Sequence, residues 1–254
     1  MRGLLTNNAL IVEDLWKSYD QVTALRGVSF KISSGEIFGL IGPNGAGKTT
    51  TLRIIAGILH PDRGVIRIYG KDPARDEVEV KRIISYLPED AGVYRFLKGI
   101  EFLRFLAEIY SETTEEAEKM IEYGSRISGL GERLWDPMKS YSKGMKRRLL
   151  LASTLMTRPR LAILDEPTSG LDVYHSVIMR KAIKNYVEET GASVLLSSHN
   201  MLEVEYLCDR VAFIDKGQII AVGTPEELKQ QFNATNLEEA FINAVGGEVE
   251  EHVT

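Results

Sequence analysis

The sequence predicts an α/β fold interrupted by a helical stretch, and three observations lead to it. Short apolar runs at 36–41, 161–164 and 194–197 stop abruptly at glycine, carboxylate or serine, as buried strands do. Helical spacing appears next to them, at 49–59 after the first run and at 172–189 between the other two. From 76 to 157 the texture changes and reads as mainly helical. Strand–helix alternation around a helical insert is the pattern of an α/β sheet carrying a helical lobe.

Each element has its own signal. Residues 10–19 and 22–32 mix β-branched and aromatic side chains with polar ones and read as strands. The run at 36–41 ends at Gly42, and Leu52, Ile55, Ala56 and Leu59 then fall at helical spacing, so 42–48 is a loop between a buried strand and a helix. A strand at 65–69 is closed by Gly70, Lys71 and Asp72. Ile100, Leu103, Leu106, Ala107 and Tyr110 share one face of a helix over 97–110. A second helix, 113–125, takes Thr113 or Thr114 as its cap, with Glu115 and Glu116 in its first turn. A third covers 142–157. Residues 211–216 and 218–222 flank Lys216-Gly217 as a hairpin, and 225–232 and 236–245 are short helices. The acidic, glycine-led segment 246–254 reads as a frayed tail.

Composition narrows the function classes. The chain has 254 residues, 44% of them hydrophobic and 26% charged, which suits one large domain or two small ones and excludes wholesale disorder. A net charge of −5 offers no basic character for nucleic acid at whole-chain level. The single cysteine, Cys208, excludes an intramolecular disulfide, and both Cys208 and Trp135 read as packing residues. His60, His175 and His252 read as surface residues. Residues 1–8 lack the apolar core of a signal peptide. No run approaches the roughly 20 apolar residues of a membrane span, so a membrane role has to come through a partner.

The chemistry begins at Gly42-Pro43-Asn44-Gly45-Ala46-Gly47-Lys48-Thr49, a full match to G-x-x-x-x-G-K-[ST]. Glycines let successive backbone N–H groups turn inward as an anion cradle, and the helix that follows adds its positive end. Lys48 supplies a cation for the terminal phosphates and the Thr49 hydroxyl a ligand for Mg²⁺. Such a loop alone leaves kinase, GTPase and ATPase open. The apolar run at 161–164 then ends in Asp165-Glu166-Pro167, where Asp165 would hold Mg²⁺ through water and Glu166 would polarise an attacking water.

With these motifs the chain resembles the ATP-binding subunit of an ABC transporter over nearly its whole length. Asp165 to Asp172 resembles the family's Walker B segment and D-loop. Tyr141-Ser142-Lys143-Gly144-Met145 stands where the family has its Leu-Ser-Gly-Gly-Gln signature, Ser197-Ser198-His199 resembles the switch histidine, Tyr19 matches the aromatic that stacks on adenine, and Tyr86-Leu87-Pro88-Glu89 matches the Q-loop.

The resemblance implies a P-loop NTPase with a RecA-like core, an antiparallel N-terminal β-subdomain and an inserted helical subdomain at about 90–158. The ATP-binding domain would span 8–235, with a short extension and tail over 236–254. It implies Glu166, His199 and Lys48 as catalytic, with Tyr19, residues 42–50 (Thr50 included), Ser142, Gly144 and Asp172 around ATP, and Thr49, Glu89 and Asp165 around Mg²⁺. Glu89 replaces the usual glutamine, Met145 the signature's last glutamine and Lys143 its first glycine.

Partners implied are a second ATPase chain, identical or not, and a membrane-spanning permease docked near the Q-loop and helical lobe. No nucleic acid is expected, and the subunit would sit peripherally on the cytoplasmic face of the cell membrane. Pro-Glu at the Q-loop, Ser-Lys-Gly-Met in the signature and the ending Leu237-Glu238-Glu239-Ala240-Phe241 are similar to ABC-2 type ATPases, commonly exporters. Two rivals remain: an ABC-type ATPase without permease that works on nucleic acid or protein assembly, and a gating subunit that binds ATP without turnover.

Overall fold

A computed structural model describes residues 8–246; residues 1–7, and the tail expected beyond Gly246 with His252, lie outside the described residues. Strands β1 (Asn8–Tyr19) and β2 (Val22–Ser33) pair antiparallel, as their alternating pattern predicts. The register shifts between Val12 and Leu15, where Asp14 adopts φ +50°, and the bulge keeps Leu10, Val12 and Leu15 all buried. Strand β3 (Ile37–Ile41) leads into helix α1 (Lys48–Ile55), and β4 (Arg63–Ile68) completes a three-stranded sheet in the order β2-β1-β4. Helix α1 is shorter than the spacing predicts because Gly57, at φ +74°, turns the chain out of the helix.

Helix α2 (Glu77–Lys81) is followed by β5 (Ile84–Leu87), a strand inside the stretch that reads as helical. Its four residues are too short to show a period, and Pro88 ends it. Helices α3 (Gly99–Tyr110) and α4 (Thr114–Ser128) follow; the Thr113 hydroxyl caps α4 by accepting from the Glu116 N–H at 3.2 Å. Two short 3₁₀ segments at Gly131–Trp135 and Met138–Ser140 lead to α5 (Lys143–Leu155). Trp135 is 59% exposed and does not pack as expected, whereas Cys208 is buried.

The rest of the chain alternates: β6 (Leu161–Asp165), α6 (Val173–Thr190), β7 (Ser193–Ser198), α7 (Met201–Leu207), β8 (Arg210–Asp215), β9 (Gln218–Gly223), α8 (Pro225–Gln231) and α9 (Leu237–Ala244). Helix α7 has no counterpart in the sequence reading; the Asn200 carboxamide caps it from the Glu203 N–H at 3.2 Å. The second sheet runs β5-β6-β7-β3-β8-β9, parallel except for β9. Every residue of β3, β6 and β7 is buried, which a parallel sheet covered on both faces requires.

One face of this sheet packs on α1 and the antiparallel sheet, where Phe30 stacks on Phe38 with centroids 5.3 Å apart. The other face packs on α3 to α7 and on the C-terminal helices. Leu237 and Ala240 of α9 are fully buried, and Phe241 meets Phe213 of β8 edge-on at 5.3 Å, so this helix is part of that core.

Candidate active site

The loop between β3 and α1 has the conformation its glycines allow. A Cβ on Gly42 would collide with the Ile214 carbonyl, and Gly47 sits at φ +105° with Leu25 beside it. The Gly217 N–H donates to Ala46 O at 3.0 Å, so the β8–β9 hairpin anchors the loop. No acidic residue occupies the first turn of α1, and the positive end of the helix faces the loop uncompensated by its own sequence.

Lys48 is buried and bends back over the loop, donating to Gly42 O at 2.7 Å and Pro43 O at 3.2 Å, with Glu166 Oε1 at 3.5 Å. The register of β6 with β7 sets Asp165 opposite Ser197. Ser197 Oγ donates to Asp165 Oδ1 at 2.6 Å, Thr49 Oγ1 donates to the same oxygen at 3.2 Å, and Tyr86 OH donates to Oδ2 at 3.2 Å. Burial, reinforced by the Asp165 charge, pushes the Tyr86 hydroxyl up to about 12, so it stays a donor at neutral pH.

Glu166 lies at φ +47°, a left-handed conformation that costs a non-glycine residue about 1–2 kcal/mol. The turn re-aims its side chain away from that of Asp165. Its N–H donates to Ser197 Oγ at 2.9 Å, and its Oε2 lies 2.7 Å from His199 Nδ1. Its buried Oε1 accepts no hydrogen bond among the described residues. A carboxylate with one oxygen free of hydrogen bonds, ion-paired with a lysine and beside a histidine, can orient a water and take its proton.

Thr49 and Asp165 bring hard oxygen donors together at the mouth of the anion cradle. Mg²⁺ takes few protein ligands and otherwise keeps waters and substrate phosphate oxygens, and this donor set fits it. Glu89 is not brought to them: its carboxylate is exposed and accepts from Ser169 Oγ at 3.5 Å. Tyr19 ends β1, 43% exposed, with Lys17 Nζ 5.7 Å from its ring.

Ser142, Gly144 and Asp172 form a separate cluster. Ser142 caps α5, accepting from the Met145 N–H at 3.2 Å, and Asp172 caps α6, accepting from the His175 N–H at 2.9 Å. A Cβ on Gly144 would meet the His175 ring, and one on Gly170 would collide with the Lys143 ammonium. His175 is therefore not the free surface residue its lone occurrence implies: its ring lies against the first turn of α5 and Nδ1 bonds Asp172 at 2.8 Å. Among the described residues, none of this cluster bonds the phosphate loop.

Several site residues had no signal of their own in the sequence. Tyr86 and Ser197 hold Asp165. Glu203 of α7 is almost fully buried and accepts from Ser198 Oγ at 3.2 Å and from Thr168 Oγ1, joining the strand end before His199 to the turn after Glu166. Burial pushes its carboxyl up. Arg147 binds only backbone carbonyls, which no residue pattern reveals.

Known proteins place this arrangement. The ABC transporter family model matches residues 25–169. The linearmycin resistance ATP-binding protein LnrL of Bacillus subtilis is 37% identical over 244 residues, covering 93% of this chain and 78% of that protein. A fluoroquinolones export ATP-binding protein of Mycobacterium tuberculosis is 37% identical over 206 residues, 81% of this chain and 67% of that protein. The solved structure of an ATP-binding subunit of an ABC transporter superposes with a TM-score of 0.83 at 32% identity, covering 93% of this chain and 99% of that one.

Proposed function

The chain belongs to the ABC transporter ATP-binding family, and on that premise we propose that it works as one of two ATPase chains beneath an exporting permease. It binds and hydrolyses ATP, and this hydrolysis powers a separate membrane permease. Outward transport is supported by the relatives named for linearmycin resistance and fluoroquinolone export.

One observation carries the assignment of roles. Lys48, Thr49, Asp165, Glu166 and His199 come from three separate stretches of chain and meet at the mouth of one anion cradle, through contacts of 3.5, 3.2 and 2.7 Å. Residues 42–50 wrap the phosphates, and Lys48 exchanges its two loop carbonyls for the terminal phosphate oxygens. Thr49 and Asp165 would hold Mg²⁺, whose charge, when bound, offsets that of the phosphates. As Lys48 turns to the phosphate, Glu166 aligns the attacking water through Oε1, which accepts no hydrogen bond from the described residues, and takes its proton as the water oxygen bonds to the γ-phosphorus and ADP departs. His199 orients Glu166 and, with Lys48, stabilises charge on the γ-phosphoryl group. Tyr19 would stack on adenine, and Glu89, at the rim, would approach Mg²⁺ only if its loop moved inward.

The Ser142–Gly144–Asp172 cluster would serve the nucleotide of a second chain, arranged head to tail. Permease docking is supported by Tyr94 and Phe96, 60% and 87% exposed, on the loop between Glu89 and α3. No helix among the described residues is long and apolar enough to cross a membrane. Family membership supports a place on the cytoplasmic face of the membrane, held through its partner.

Glu166→Gln tests this reading. With ATP the variant should elute at twice the monomer mass and, extracted from membranes, should carry a multi-spanning protein with it. A monomer under ATP would refute the two-chain site, and a membrane-free preparation with full ATPase activity would favour the permease-free alternative.

A further inference from the structure

Arg147 lies one turn into α5, the helix that Ser142 caps, and its guanidinium is buried. An arginine has five N–H donors in one plane. Here all five are used, each on a backbone carbonyl. Nη1 donates to Pro88 O at 2.7 Å and Glu89 O at 3.0 Å. Nη2 donates to Asp165 O at 2.7 Å and Glu166 O at 2.9 Å. Nε donates to Pro167 O at 2.9 Å. The surrounding charges are the carboxylates of Asp165, Glu89, Asp90 and Glu166. Burial draws the guanidinium below its ordinary value, but arginine remains a cation in a protein.

We propose that Arg147 is a positioning residue that locks the 88–89 loop, the Asp165–Pro167 turn and the head of α5 into one unit, so that moving the loop or the helix moves the Glu166 carboxylate. The inference rests on the reading of Glu166 as the base. Its physical content is the fork. Glu166 keeps its left-handed backbone only while the carbonyls around it are held, and Arg147 holds them through the same guanidinium that holds the loop carbonyls. That loop continues into the exposed Tyr94 and Phe96, where a permease would press. The other end of the unit is Ser142, where a partner's nucleotide would press. One guanidinium thus connects both inputs to the base. Lysine cannot substitute: an ammonium is a point donor with three hydrogens and cannot span two loops in one plane.

The test uses the ATPase in complex with its permease. Arg147→Lys keeps the charge and removes the fork. Expected is a kcat lower by about 10–100-fold with KM for ATP within about threefold of wild type, the signature of lost transition-state placement rather than lost binding. Pro88→Gly, which loosens the loop, should lower kcat in the wild-type background and add little in Arg147→Lys, because the link it acts through is already cut. Wild-type kcat in Arg147→Lys, a loss no larger than the loss of folded protein, or two effects that simply multiply would each overturn the proposal. If Arg147→Lys does not fold, hydrogen exchange on the wild-type chain decides. The amides of Glu89, Asp90, Asp165, Glu166, Thr168 and 144–148 should open with one shared free energy, and independent opening overturns the proposal. Glu166→Gln runs in parallel: if it turns over normally, the base assignment fails, whatever Arg147 does.

Discussion

Glu166 Oε2 stands 2.7 Å from His199 Nδ1, across the ends of two neighbouring strands whose register places Asp165 opposite Ser197. The proposed proton acceptor and its orienting group are thus set by the same sheet that holds the Asp165 carboxylate. Glu166→Gln keeps the side chain's shape and removes its basicity, so steady-state turnover should fall by about 10²–10⁴-fold. His199→Ala should also slow turnover, and the double variant should lose less than the product of the two single losses, since the part of the His199 effect that acts through Glu166 is then already gone. Multiplicative losses in the double variant would separate their roles.

Among the described residues, Lys48 is the one cation bonded to the carbonyls of the phosphate loop. Lys48→Ala should weaken Mg-ATP binding by about 10–100-fold, the scale of hydrogen bonds to a charged group. Isothermal titration measures it, and unchanged affinity would move the terminal phosphates away from this loop.

The Glu203 carboxyl sits above its ordinary 4.5, first because of burial and further because of the Glu166 charge, against the opposing pull of Thr168, Ser198 and Arg180. The folded chain therefore binds this proton more tightly than the unfolded chain. Its stabilising contribution is complete below pH 4.5 and is lost as pH rises through the folded-state value. Glu203→Gln keeps the shape, so it should flatten that decline and be the more stable chain at pH 8. Denaturant midpoints measured from pH 4 to 8 check this, and parallel curves for variant and wild type would contradict it.

Ser142 and Lys48 lie in clusters that share no hydrogen bond among the described residues. In a head-to-tail pair, Ser142→Arg blocks the partner's site and Lys48→Ala the chain's own. Each variant should be inactive alone. Mixed in equal amounts they should recover up to roughly a quarter of wild-type ATPase activity, since half the pairs are mixed and each keeps one intact site of two. No recovery with proven chain exchange, from differently tagged subunits, would mean either that the sites do not form in trans or that both must fire together.

Glu89 reaches Ser169 and not Thr49. If its loop moves inward with nucleotide, Glu89→Gln should keep turnover and shift its Mg²⁺ dependence. Identical Mg²⁺ titrations for wild type, Glu89→Gln and Glu89→Ala would make it a rim carboxylate with no part in the chemistry.

Chemistry carried by neighbours in the chain was legible in the sequence. The cradle is eight consecutive residues, 42–49, whose glycines are needed for the turn itself, and Asp165 and Glu166 announce themselves as acids ending an apolar run. The hairpin around Gly217 and the capped helices at Thr113 and Asp172 are local in the same way. The tertiary structure alone decided what depends on distant residues. Strand β5 is a strand because it pairs with β6, across 70-odd residues of intervening chain, and not because Ile84-Ser85-Tyr86-Leu87 insists on it. Tyr86 becomes an Asp165 ligand only through that pairing. His175 is drawn partly out of solvent because the first turn of α5 lies against it, and Arg147 gains its role from five carbonyls on two loops. Every residue carries a backbone carbonyl, so a side chain that reads carbonyls leaves no trace in the order of residues. Only packing brings those oxygens around one guanidinium.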